Sequence, residues 1–208
     1  MINLIRIGNL LYTKNLTPGI SVYGEKLKII NGSEYRTWDP KVSKLAACII
    51  EGFKIDINEY SRVLYLGASS GSSLSHISDI ASKGKVFGVE ISKEMIARLI
   101  NLAESRRNIY PIFGDARQVQ DYVNYLEDID FVYQDIPQYD QVDIFLRNIR
   151  AVRSKQGLLV VKARSIAVDK RVSEVLKIVL NQLKGINIVK HKVLHPYYAD
   201  HIGLLISL

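Results

Sequence analysis

The stretch Val63–Ser73, VLYLGASSGSS, decides how the chain is read. An apolar run halts at Gly67, three small residues sit between two glycines, and serines lead into a segment of helical spacing. A strand that turns so abruptly and reopens as a helix is the building unit of doubly wound sheets. Glycines there permit a tight turn and close backbone approach by a ligand. The spacing is neither the G-x-G-x-x-G dinucleotide fingerprint nor a P-loop, so the turn alone leaves a purely structural role open.

Outward from this turn the pattern repeats. The apolar, β-branched runs RVLYL, KVFGVE, NIYPIFG, DFVYQD and GLLVVKA alternate with helical spacing in SKEMIARLINLAES and VDIFLRNIRAV. This predicts an α/β protein with a doubly wound, mostly parallel sheet covered on both faces. After the helix DKRVSEVLKIVLNQL, only HPYYAD separates INIVKHKVL from HIGLLISL. So short a connection predicts an antiparallel pair, and with it a reversed edge strand. Upstream, NLIRIG, LLYT, ISVYG and LKIING are broken by Asn-Gly and Pro-Gly pairs. They predict a small antiparallel β domain over residues 1–34, with the main domain over residues 35–208. A helix is expected over DPKVSKLAACIIEG, with Asp39 as its cap, Pro40 at its first position and Gly52 as its stop. Lys44 then falls about one turn in.

The 208 residues suffice for one substantial core. Hydrophobic residues make up 48% and charged ones 24%, which excludes a disordered chain. No apolar stretch approaches the roughly 20 residues of a spanning helix, and charges interrupt the apolar N-terminal pattern, unlike a secretory signal. A cytoplasmic protein without a membrane partner is expected. The single cysteine, Cys48, cannot form an internal disulfide and reads as a small buried residue. No metal site is expected. Lys plus Arg exceed Asp plus Glu by 28 to 21, a formal charge of +7. That excess argues for a polyanionic partner, since each phosphate contact releases counterions.

Chemistry gathers at the strand ends. Glu90 closes VFGVE, where an acidic side chain can accept from both ribose hydroxyls of a nucleoside. Asp115 follows the next strand and can read an adenine amino group. Asp135 ends the fourth strand and Lys162 the fifth, so an acid and a base converge on one rim. A helix-capping Asp and a solvated Lys are the bland alternatives. His76, His191 and His195 read as structural or solvated.

Taken together, LYLGASSGSSLSHISDI, VFGVEIS, NIYPIFGDAR, VYQDIPQ, VVKARSI and the upstream YRTWDPKVSKLAA strongly resemble fibrillarin, in particular the short archaeal fibrillarin-like RNA 2′-O-methyltransferases. The absence of a glycine-arginine tail favours the archaeal branch. The resemblance implies a class I (Rossmann-like) methyltransferase fold, with a seven-stranded sheet and a small N-terminal β domain, using S-adenosyl-L-methionine. It implies that Gly67 with Ser72 and Ser73 holds the methionine end of the cofactor. Glu90 and Ile91 would take the ribose, Asp115 and Ala116 the adenine, while Asp135, Ile136, Pro137 and Gln138 border the sulfonium. The family's quartet of Lys, Asp, Lys and His falls on Lys44, Asp135, Lys162 and His201. Gln134 replaces a usual acid, Pro137 a usual alanine, and Val42 a usual arginine; the quartet is intact.

The resemblance also implies partners: a box C/D guide RNA paired with target rRNA or tRNA, a Nop-domain scaffold protein, and a box C/D RNA-binding protein of the ribosomal L7Ae type. The chain carries no aromatic RNP motif and no GXXG loop, so base pairing would supply specificity. Arg164, Arg36 and Lys41, near the quartet in sequence, are candidate phosphate contacts or ordinary surface charge. A 2′-hydroxyl is a poor acid, and Lys162 is the candidate to take its proton, with Asp135 orienting it and His201 positioning ribose or phosphate. Rival readings are a nicotinamide oxidoreductase, a noncatalytic structural subunit and a protein methyltransferase. The missing dinucleotide fingerprint speaks against the first, the intact quartet against the second.

Overall fold

The computed structural model describes residues 3–208, and turn chemistry shapes its first sheet. Asn31 and Gly32 both hold positive φ, 49° and 74°, a reversal whose twist suits antiparallel strands. It joins β3 (Leu27–Ile30) to β4 (Ser33–Trp38). With β1 (Leu4–Ile7) and β2 (Leu10–Lys14) these form an antiparallel sheet in the order β1-β2-β4-β3. The stretch Ile20–Gly24, expected as a strand, is a bend instead. The Glu25 carboxylate accepts from the amides of Val22 and Tyr23 at 3.0 and 2.9 Å, which removes them from any ladder. β4 runs on to Trp38, so the first sheet continues past residue 34.

The helix after β4 starts later than its sequence suggests. α1 spans Lys44–Ile50 and its cap is Ser43, whose Oγ accepts from Ala46 N. Asp39 closes a separate turn, accepting the amide of Lys41 on its side chain and those of Val42 and Ser43 on its carbonyl. Two cap-forming residues compete here, and the second one nucleates the helix. Lys44 is therefore its first residue. Gly52, at φ +81°, ends the turn beyond α1 as expected.

The second sheet has seven strands: β5 (Arg62–Leu66), β6 (Lys85–Glu90), β7 (Ile109–Phe113), β8 (Phe131–Gln134), β9 (Gln156–Lys162), β10 (Asn187–Val193) and β11 (His201–Ser207). Their order is β10-β11-β9-β8-β5-β6-β7. All pairs from β9 to β7 are parallel, and β11 alone runs antiparallel to both of its neighbours. The reversed strand thus lies one place in from the edge. Burial explains the placement: Ile202–Ile206 of β11 are all buried, whereas β10 only alternates and suits the outside.

Five further helices, α2 (Ser72–Ile80), α3 (Lys93–Ser105), α4 (Gln141–Ala151), α5 (Ala163–Ile166) and α6 (Val172–Gln182), complete the fold. Alternate strand residues face two cores. Val63, Tyr65, Phe131 and Val160 pack with Leu45, Leu74 and Leu99 of α1, α2 and α3. Leu64, Leu66, Val132 and Val161 pack with Phe145 of α4 and Val179 of α6 on the other face. Cys48 is fully buried on α1, as expected.

A buried ionic clasp joins the first sheet to α2, one of the helices packed on the second sheet. Arg36 of β4 is fully buried and donates to Glu25 at 2.5 Å, Asp79 at 2.8 Å and Ser75 Oγ at 2.8 Å. Arg106 reaches the other oxygen of Asp79 at 2.6 Å. Two guanidiniums and two carboxylates balance, as burial of charge demands. Arg36 is therefore not a phosphate contact, which corrects the sequence expectation; Lys41 and Arg164 are exposed, with Arg164 paired to Asp200. His76 is structural as expected, stacked on Trp38 and bonded to Thr13 and Tyr23 at 2.7 Å each.

Candidate active site

The turn after β5 is built for closeness. Gly67 N and Ala68 N both donate to Val89 O, at 2.9 and 3.1 Å, folding the chain back across β6. Gly67 holds φ +80°, and a Cβ there would stand 2.5 Å from Ile136 Cγ2 and 2.8 Å from Asp135 O. Only glycine fits. At the end of β6, Glu90 Oε2 accepts from Ser69 N and Oε1 from Ser92 N, both at 2.8 Å. Two backbone amides fix the carboxylate, and each oxygen keeps a lone pair for a ligand.

These groups border one crevice of about 260 Å³ at the carboxyl ends of the strands. Gly67, Glu90 and Ile91 form one wall, Asp115 and Ala116 the next, and the segment Asp135–Gln138 the third. Lys162 lines it too. Ser72 and Ser73 do not: Ser73 Oγ bonds to Ser43 Oγ at 2.8 Å behind the turn, and Ser72 faces a groove beside Thr17 and Arg106. A larger groove of about 760 Å³ lies at the opposite ends of the strands, near Arg62, Asp130 and Lys155. It holds none of the expected residues, and its charges balance within it.

At the rim, Asp135 stands between two ammonium groups. Lys44 Nζ donates to Oδ2 at 3.0 Å, and Lys162 Nζ lies 3.0 Å from Oδ1 and 3.5 Å from the Asp135 carbonyl. The Lys162 contact to Oδ1 is an ion pair off the hydrogen-bond direction, so that buried oxygen has no hydrogen-bond partner among the described residues. His201 opens β11 directly opposite Lys162. Burial, and then the Lys44 charge, hold its pKa below the ordinary histidine value, with Lys162 adding and Asp135 opposing. Near neutral pH it is an uncharged acceptor. The quartet expected from sequence is thus gathered around Asp135.

Three neighbours were not singled out by the sequence. Tyr198 lies beneath Lys44, 5.2 Å from ring centroid to Nζ, and meets His201 edge-on at 5.4 Å. Arg117 lines the crevice and donates to Gln138 Oε1 at 2.7 Å and to both oxygens of Asp140 at 2.9 Å. Gln141 bonds to Lys162 from beneath the rim. Arg117 lies within the quoted GDAR stretch and Tyr198 within the HPYYAD connection, so position gave a signal for both; Gln141 had none.

A mostly parallel seven-stranded sheet with one reversed strand, and a crevice where Gly67, Glu90 and Asp115 converge, defines the class I methyltransferase fold. The chain belongs to the fibrillarin family, whose model matches residues 2–208. It is 43% identical over 205 residues to the fibrillarin-like rRNA/tRNA 2′-O-methyltransferase of Methanosarcina barkeri, covering 95% of this chain and 91% of that protein. Aeropyrum pernix fibrillarin, solved with natively bound S-adenosyl-L-methionine, superposes with a TM-score of 0.87 at 37% identity, over 98% of this chain and 93% of that one. The structure of a fibrillarin/Nop5p complex gives 0.89 at 38% identity, covering 99% and 97%.

Proposed function

We propose that this chain is an S-adenosyl-L-methionine-dependent RNA ribose 2′-O-methyltransferase, the catalytic subunit of a box C/D guide ribonucleoprotein acting on rRNA and tRNA. The observation that carries the reading is the Asp135 carboxylate, flanked by Lys44 and Lys162 at 3.0 Å each on the rim of the crevice.

The crevice fits the cofactor. Gly67 leaves room where any side chain would collide, Glu90 presents fixed acceptors to a ribose diol, and Asp135 Oδ1 is a buried acceptor with no hydrogen bond among the described residues. Bound there, the cofactor supplies an electrophilic methyl group on a sulfonium. The residues of this chain do the rest. Lys162, having first released one of its own protons, takes the hydroxyl proton as the new carbon–oxygen bond forms, and Asp135 orients it. Lys44 balances the carboxylate and favours the developing negative oxygen. Neutral His201 accepts a hydrogen bond from the incoming ribose.

Substrate choice is delegated. The sequence carries no aromatic RNP motif and no GXXG loop, and its +7 charge suits backbone contacts; guide pairing then supplies the sequence and a Nop-domain scaffold with an L7Ae-type protein the placement. The likeness to the fibrillarin of the Nop5p complex supports this docking. The test is reconstitution with scaffold, L7Ae-type protein, guide and target RNA, followed by mapping of ribose methylation. One 2′-O-methyl group at the guide-specified nucleotide is expected. A label resistant to ribonuclease, or selective methylation of free RNA without guide, defeats the proposal.

A further inference from the structure

Lys162 needs a fixed backbone, and ordinary strand pairing does not supply it on one side. The β8–β9 ladder ends at the pair Gln134 and Leu159, three residues short of Lys162. Beyond that rung the β9 backbone facing β8 meets a side chain instead. Gln141, the first residue of α4 and fully buried, accepts from Lys162 N on Oε1 at 2.9 Å. Its Nε2 donates to Lys162 O at 3.2 Å and to Gln138 O at 2.7 Å. Gln134 Nε2 in turn donates to the Gln141 carbonyl at 2.6 Å.

One carboxamide therefore satisfies both backbone groups of Lys162 and reaches the loop that walls the crevice. We infer that Gln141 is a positioning residue for methyl transfer, holding Lys162 and the Asp135–Gln138 loop as one rigid unit. The inference rests on the function proposed above. Its logic is geometric: a shift of about an ångström at a reacting group can cost a hundredfold in rate. A buried amide with every bond made resists such a shift, and an apolar replacement leaves three backbone groups unpaired.

The test compares Gln141→Met, which keeps volume and loses all three bonds, with Gln141→Glu, which keeps the acceptor for Lys162 N and loses the donors to Lys162 O and Gln138 O. Calorimetry reads S-adenosyl-L-methionine affinity of the full chain. Single-turnover methylation in the assembled complex at saturating cofactor reads the rate. For Gln141→Met we expect a dissociation constant raised about threefold to tenfold and a rate lowered about tenfold. Gln141→Glu, which keeps one of the two bonds to Lys162, should recover part of the rate and none of the affinity. Should Gln141→Met not fold, that split in Gln141→Glu decides alone. A melting temperature that falls while affinity and rate stay at wild-type values in either folded variant overturns the inference. A wild-type complex that methylates no RNA refutes the proposed function instead, and the calorimetric comparison still decides whether Gln141 holds the crevice.

Discussion

Lys162 and His201 are cross-strand partners: β9 delivers the lysine at its end, and β11 begins with the histidine directly opposite. Because both backbone groups of Lys162 turn toward Gln141, this pair is joined through its side chains and shared rim, not through ladder hydrogen bonds. The antiparallel register of β9 against β11 therefore sets the distance between two functional groups.

Lys162→Ala should keep cofactor affinity within about threefold and lose methyl transfer by at least about a hundredfold, the usual scale of a proton-transfer group. Calorimetry and single-turnover assay of the assembled complex separate the two. Near-normal turnover removes Lys162 from the chemistry.

Gly67→Ala meets two obstacles. The φ of +80° disfavours any side chain, and the contact of 2.8 Å to Asp135 O is with backbone that cannot swing away. A stability loss of at least about 2 kcal/mol is expected in urea unfolding, together with weakened cofactor binding.

Glu90→Gln places an amide group against Ser69 N or Ser92 N, donor facing donor, because both carboxylate oxygens already accept from those amides. Cofactor affinity should fall by about tenfold or more. Asp115→Ala should weaken it as well, and unchanged titration curves would contradict the assignment of this wall.

His76 carries a pH dependence. Burial first, then Arg36 and Arg106, push its pKa well below the ordinary 6.5. The folded chain thus resists a proton that the unfolded chain accepts, so stability holds above pH 6.5 and declines as pH falls below it toward the lowered folded value. One such proton contributes a slope of up to about 1.4 kcal/mol per pH unit. His201 acts with the same sign. Urea unfolding across about pH 5 to 8 should show this slope, reduced in His76→Gln.

Much of this was legible because strand and helix periods differ and because strand ends carry chemistry. Gly67, Glu90, Asp115, Asp135 and Lys162 could be placed on one rim from order alone, since parallel strands bring their ends together. Three features escaped. Asp39 and Ser43 are equally good caps in sequence, and only tertiary contact between Ser43 and Ser73 shows which one starts α1. Arg36 looks like a surface charge until Asp79 and Glu25, distant in sequence, close around it. Gln141, at the start of α4, acts on a residue at the end of β9, which no local pattern encodes.

The buried clasp limits how small this protein can be made. Arg36 bonds to Ser75 Oγ, which donates to Ser72 O in the first turn of α2, directly after the glycine turn. Trimming away the amino-terminal sheet to reach a minimal version would leave Asp79 with one guanidinium instead of two and slacken that first turn. Miniaturisation therefore has to begin inside the clasp, by replacing Asp79 and Arg106 together with apolar side chains of matched volume, before any residue upstream is removed.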